Sequence, residues 1–148
     1  MKDTQDKNKN LKIIFYSFVT LVAIATIIRI FVFEIISVQD KYYVVNKLVS
    51  SYKRLELVYH DRGISRIIAL PHESIEIFNN KIFVNGKNII VKEQSFDPAH
   101  FTELDYKIRK LKKDQFFLMA DDRNYSIDSR NYGPINKSKI IGKILFMF

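Results

Sequence analysis

The residues best suited to chemistry in this chain crowd into one stretch, Asp121 to Gly133. It carries the carboxylates Asp121, Asp122 and Asp128, the guanidinium groups of Arg123 and Arg130, and the hydroxyls of Ser126 and Ser129. A guanidinium forms two parallel hydrogen bonds to a carboxylate, so Asp128 is expected to pair with Arg123 or Arg130. The apolar run Phe116 to Ala120 leads directly into the stretch and predicts a buried strand. A polar loop leaving a core strand must satisfy its charges locally, which makes an ion-paired bracing loop the simplest expectation. Asp122, Asn124, Ser126 and Asp128 also alternate like a calcium loop. The central Gly and the final Glu of such a loop are absent, however, and Gly133 stands in the Glu position.

Other chemistry finds less support. His60, His72 and His100 share no helical or strand spacing, so no metal site is expected from them. His60, Asp61 and a serine supply the groups of a hydrolytic triad, but neighbouring residues on a strand point to opposite faces, which weighs against it.

At 148 residues the chain has room for one modest domain, and with no cysteine it forms neither disulfides nor thiolate metal sites. The net charge of +8 suits an anionic surface. The aromatic residues alternate with aliphatic ones rather than with Lys and Arg, so no nucleic-acid partner is expected, and most of the charge is read as a solvated face.

A polar, lysine-rich leader, residues 1 to 12, precedes an apolar run from Ile13 to Phe33 that only Arg29 interrupts. The run has about the 20 residues needed to cross a bilayer core. Arg29 lies one turn from its end, where a long stem reaches the headgroups. No small residues follow to mark a cleavage site, so a retained anchor is expected rather than a removed signal. The expected order is a cytoplasmic tail (1–12), a transmembrane anchor (13–34) and an extracytoplasmic domain (35–148). The basic leader keeps the N-terminus inside a single-pass protein of the cell membrane.

Strands are expected over Tyr42 to Leu48, Leu55 to Tyr59, Ser65 to Leu70 and, as two hairpins, Ile75–Phe78, Lys81–Val84 and Lys87–Val91. Asn85-Gly86 has the residues that a tight turn with positive φ demands. Residues 93 to 102 read as loop, Leu104 to Leu111 as either a helical turn or a strand, and Lys139 to Phe148 as a last buried strand.

Asp121-x-Arg123-x-x-Ser126-x-Asp128-Ser129-Arg130-x-x-Gly133 resembles the box Gly-Asp-Asn-Arg-x-x-Ser-x-Asp-Ser-Arg of type I signal peptidases, with Ala120 for its Gly and Asp122 for its Asn. The resemblance covers about nine tenths of the chain and thins only over residues 93 to 112. Arg29, Phe31, Phe33 and Glu34 are similar to the end of that family's anchor. Val45-Asn46-Lys47-Leu48 is similar to the segment that follows its nucleophile box. Ser65-Arg66-Ile67-Ile68-Ala69-Leu70-Pro71 resembles its Lys-Arg-Val-Ile-Gly-Leu-Pro, whose lysine is the general base.

The resemblance implies a mostly β fold, a signal-peptidase-like β domain behind one N-terminal transmembrane helix. The family's reaction is Ser/Lys hydrolysis of signal peptides at a membrane, with no cofactor. It also implies that Ser126 would orient a lysine while Asp and Arg residues of the box brace the site. Two departures follow from the same comparison. The nucleophile box should lie between Glu34 and Asp40, where only Ile35 to Gln39 remain and Ser37 is the one hydroxyl. Ser65 stands where the base lysine belongs, and a serine hydroxyl holds its proton too tightly to act as base. The expectation is therefore a catalytically inactive homologue whose partners are the lipid membrane and either exported preproteins or an active signal peptidase paralogue. The alternative is a residual serine endopeptidase using Ser37.

Overall fold

The computed structural model describes residues 2–38, 40–79, 81–91, 106–122 and 127–148. The chain opens with helix α1, Lys2–Val32, whose segment Asn10–Val32 is apolar on all sides and is buried nowhere against the rest of the chain. Its 23 residues extend about 34 Å at ~1.5 Å per residue, against a bilayer core of about 30 Å. It is therefore long and apolar enough to cross a membrane. Thr20 and Thr26 turn their hydroxyls back onto helix carbonyls, Tyr16 and Ser17 for the first and Val22 for the second. In lipid this is the way such groups stay satisfied.

The helix stops two residues before the expected anchor end. Phe33 and Glu34 belong instead to strand β1 (Phe33–Val38), where they pair with Asn46 and Val45 of β2 (Lys41–Asn46). Cross-strand hydrogen bonding outcompetes one more helical turn here, because β2 offers a complete ladder. Lys47 fastens the junction, its backbone N–H donating to the Val32 carbonyl at 2.9 Å and its ammonium to the Ile30 carbonyl at 3.0 Å.

Beyond it lie β3 (Leu57–His60), β4 (Gly63–Ala69), β5 (Ile75–Phe78), β6 (Lys81–Val84), β7 (Lys87–Ile89), β8 (Tyr106–Ile108) and β9 (Gln115–Met119). The short helix α2 (Ser129–Tyr132), β10 (Ile135–Asn136) and β11 (Ile140–Met147) complete the chain. Two antiparallel sheets result, one ordered β1-β2-β11-β3-β4-β9-β10 and the other β7-β6-β5-β8. The domain is mostly β, as expected. The Asn85-Gly86 hairpin is present, with φ of 51° and 75° at its two turn residues. Of the segment from Leu104 to Leu111, Tyr106–Ile108 is strand, because Ile75 and Ile77 of β5 pair with Ile108 and Tyr106. The loop expected over residues 93 to 102 lies outside the described residues.

Strand β9 shows why its apolar run does not alternate. Phe117 and Met119 pack with Ile68, Ile75, Ile77 and Val84 into the core between the sheets. Phe116 and Leu118 point the other way, into a second cluster with Val58, Ile67, Ile135 and Ile140. A strand covered on both faces is apolar throughout. The signature stretch thus leaves from the most buried strand of the fold.

Candidate functional site

Asp128 is wholly buried, and so is Ser129. The Asp128 carboxylate takes a two-pronged contact from Arg130, Nε to Oδ1 at 2.9 Å and Nη2 to Oδ2 at 3.0 Å, so Arg130 fills the expected pairing. It also caps α2, accepting from the Arg130 N–H at 3.0 Å while the Asn131 side chain accepts from its own N–H at 3.1 Å. Two further bonds tie the box to β9: the Leu118 N–H donates to Ser129 Oγ at 3.0 Å and the Ala120 N–H to Asp128 Oδ2 at 3.1 Å. Side chains thus complete the β9 edge where β10, paired at Phe116, runs out. A buried edge with open N–H groups would otherwise cost its desolvation.

A second brace, not foreseen from sequence, crosses from β4 to the start of the box. Arg66 donates to Asp121 through Nε at 2.8 Å and Nη2 at 2.7 Å, and through Nη1 to the Leu55 carbonyl at 2.7 Å. Asp121 and Arg66 lie 55 residues apart, and no spacing rule connects them. Arg123 and Ser126 lie outside the described residues.

Ser65, immediately before Arg66, is only 4% exposed, and its hydroxyl sits 3.1 Å from Nε2 of His60. His60 is itself buried, and Nδ1 lies 3.5 Å from Asp61 Oδ1. Serine, imidazole and carboxylate therefore do meet, contrary to the face argument from sequence. Asp61 is not on the strand but in the two-residue turn between His60 and Gly63, and Ser65 reaches His60 diagonally across the hairpin. The Arg62 N–H points at Nδ1 at 3.3 Å. Nδ1 thus has a donor, the Arg62 N–H, and an acceptor, Asp61 Oδ1, within reach, and the tautomer decides whether Nε2 donates to Ser65 or accepts from it. Burial lowers the His60 pKa below its ordinary value, with Asp61 opposing, so the ring is neutral near neutral pH. Asp61 is engaged elsewhere too, its Oδ2 3.0 Å from the Lys139 ammonium, which holds its carboxyl below the usual range. The cluster is a buried polar plug, closed to a polypeptide by the burial of both Ser65 and His60.

Ser37 is exposed on β1, opposite Tyr42. Strands β2, β11 and β3 separate β1 from β4. At ~4.8 Å per strand the two serines lie about 19 Å apart along the sheet, so Ser37 and Ser65 cannot share a proton. From Glu34 onward β1 stays paired with β2 up to Val38, which stands opposite Lys41.

The sequence model described as signal peptidase, peptidase S26, matches residues 11–148. The chain belongs to this signal peptidase family. It is 41% identical over 87 residues to signal peptidase I P of Bacillus subtilis subsp. natto, an alignment covering 53% of this chain and 46% of that protein. A probable signal peptidase I-2 of Synechocystis is 31% identical over 90 residues, 61% of this chain and 39% of its own. The chain thus spans about half the length of these curated relatives or less. Signal peptidase I of Bacillus licheniformis aligns over 175 residues at 25% identity, covering 98% of this chain and 94% of that one. An alignment longer than the 148-residue chain runs through gaps in it, so this family member lacks residues that the relative has. The fold itself is that of signal peptidase I from Enterococcus faecalis V583, with a TM-score of 0.55 at 18% identity over 66% of this chain and 99% of the other.

Proposed function

We propose that this S26 family member is a membrane-anchored, catalytically inactive signal peptidase homologue that binds without cutting. The observation that carries this reading is the tight β1–β2 hairpin in the place where the family's nucleophile box should lie. The Ser65 plug at the base position points the same way, since a serine holding a neutral imidazole offers no amine to accept a proton. In this reading α1 is a single span with residues 1–12 cytoplasmic, and residues 35–148 form the extracytoplasmic domain. The partners are the lipid membrane together with exported preproteins or an active paralogue.

The second reading, a residual serine endopeptidase acting on signal peptides, draws on the exposure of Ser37. It requires a base within about 3 Å of that hydroxyl, and the base-position strand is four inter-strand steps away.

Restoration tests the proposal, because nucleophile and base act as a unit and either alone recovers almost nothing. Ser65→Lys alone should leave signal-peptide cleavage at background, and so should a Ser-Met segment inserted between Glu34 and Asp40 alone. Rescue by Ser65→Lys alone would mean that a working nucleophile was present all along and would overturn the reading.

A further inference from the structure

An open cavity of about 610 Å³ opens on the large sheet, lined by Lys47, Tyr52, Asp114, Lys137, Ser138 and Ile141 among others. Its height relative to a bilayer follows from Lys47, which is hydrogen-bonded to the Ile30 and Val32 carbonyls in the last turn of α1. If α1 spans the bilayer, the cavity begins at the level of the headgroups. Its lining holds two lysines and one carboxylate, Asp114, which is exposed.

Lys47 forms a long ion pair with Glu34, and among the described residues Lys137 has no carboxylate at ion-pair distance. The Lys47 ammonium bonds the Ile30 carbonyl and stands 3.8 Å from Glu34, and Lys137 donates to the Ser50 carbonyl at 2.5 Å. An ammonium has three donors, so each retains N–H groups for an anion. Apolar side chains adjoin them in the lining: Val49 is half-buried and Ile141 is 40% exposed. Solvated lysines beside aliphatic groups, at the end of a span, match an amphiphile with an anionic head.

We propose that this cavity binds the phosphate of an anionic membrane lipid, with Lys47 and Lys137 as donors and Val49 and Ile141 as the apolar contacts. Free phosphate shares the head-group chemistry but would leave the two aliphatic side chains without a partner. The proposal rests on the reading of α1 as a span and is independent of catalytic inactivity.

The test uses the full chain reconstituted in nanodiscs of mixed phosphatidylcholine and phosphatidylglycerol, released and weighed by native mass spectrometry. Stable reconstitution reports on the span; the identity of the retained lipid reports on the cavity. Phosphatidylglycerol should be retained in preference to phosphatidylcholine, and Lys47→Gln and Lys137→Gln should each lower that preference about fivefold. Lys107→Gln, on the second sheet, should leave it unchanged, and Lys137→Arg should retain most of it. Equal retention of both lipids, an equal loss in Lys107→Gln, or a loss in Lys137→Arg as large as in Lys137→Gln would overturn the assignment. Displacement of the lipid by inorganic phosphate at comparable concentration would also overturn it, in favour of a soluble ligand.

Discussion

The box and the two reaction positions of this fold have fared differently. In the box, Asp128 and Arg130 form a buried two-pronged pair and Ser129 accepts from β9, and Arg66 adds a second two-pronged brace through Asp121. At the positions that the proposed reading assigns to the reaction, β1 stays paired with β2 up to Val38 opposite Lys41, and Ser65 lies against a buried neutral histidine. The difference teaches that the bracing residues serve the fold in their own right. Asp128 and Ser129 close the edge of the most buried strand, a task that does not depend on catalysis. A family box of this kind therefore reports fold before it reports activity.

The largest expected effect breaks the first half of that comparison. Asp128→Ala removes the carboxylate of a buried two-pronged pair with Arg130, at about 3 to 5 kcal/mol, and also orphans the Ala120 N–H. Out of a total stability on the order of 5 to 15 kcal/mol, this should lower the melting temperature by roughly 10 °C or more. Lys107→Ala, which removes an exposed pair with Glu76, should cost less than about 1 kcal/mol. Similar, small losses for both variants would show that the box is merely solvated.

Arg66→Ala should come next, at about 2 kcal/mol, because Asp121 is a third exposed and water can replace part of the lost contact. A loss as large as that of Asp128→Ala would make the two braces equal partners rather than a buried one and a half-solvated one.

The smallest effect concerns the plug. Burial holds His60 below its ordinary pKa near 6.5, so as pH falls the unfolded chain takes up that proton first. The stabilising contribution of neutral His60 is complete above about pH 6.5 and declines as pH falls below it, moderated by Asp61. Melting temperatures followed from about pH 7 to about pH 5 should decline in the wild type, and His60→Gln should flatten that slope. An unchanged slope would mean that His60 is not the titrating group.

Much of this was legible in the sequence because it is local. The apolar span, the Asn85-Gly86 turn, the last strand and the Asp128–Arg130 pair, two residues apart, all follow from neighbours in the chain. The Arg66–Asp121 brace was not legible, since it exists only because β4 and β9 lie side by side. The meeting of His60 with Ser65 was misjudged for a related reason. Alternation along one strand says nothing about a turn residue or about a diagonal partner across a hairpin. The strand character of Phe33 and Glu34 was hidden as well, because an apolar run entering a sheet reads like the end of a span.

The central claim is that the bracing outlived the chemistry, and turnover by the unmodified protein tests it most directly. Full-length protein in detergent, incubated with a signal-peptide substrate, should release no product above a protein-free control. Cleavage that Ser37→Ala abolishes would contradict the account and would make Ser37 the nucleophile.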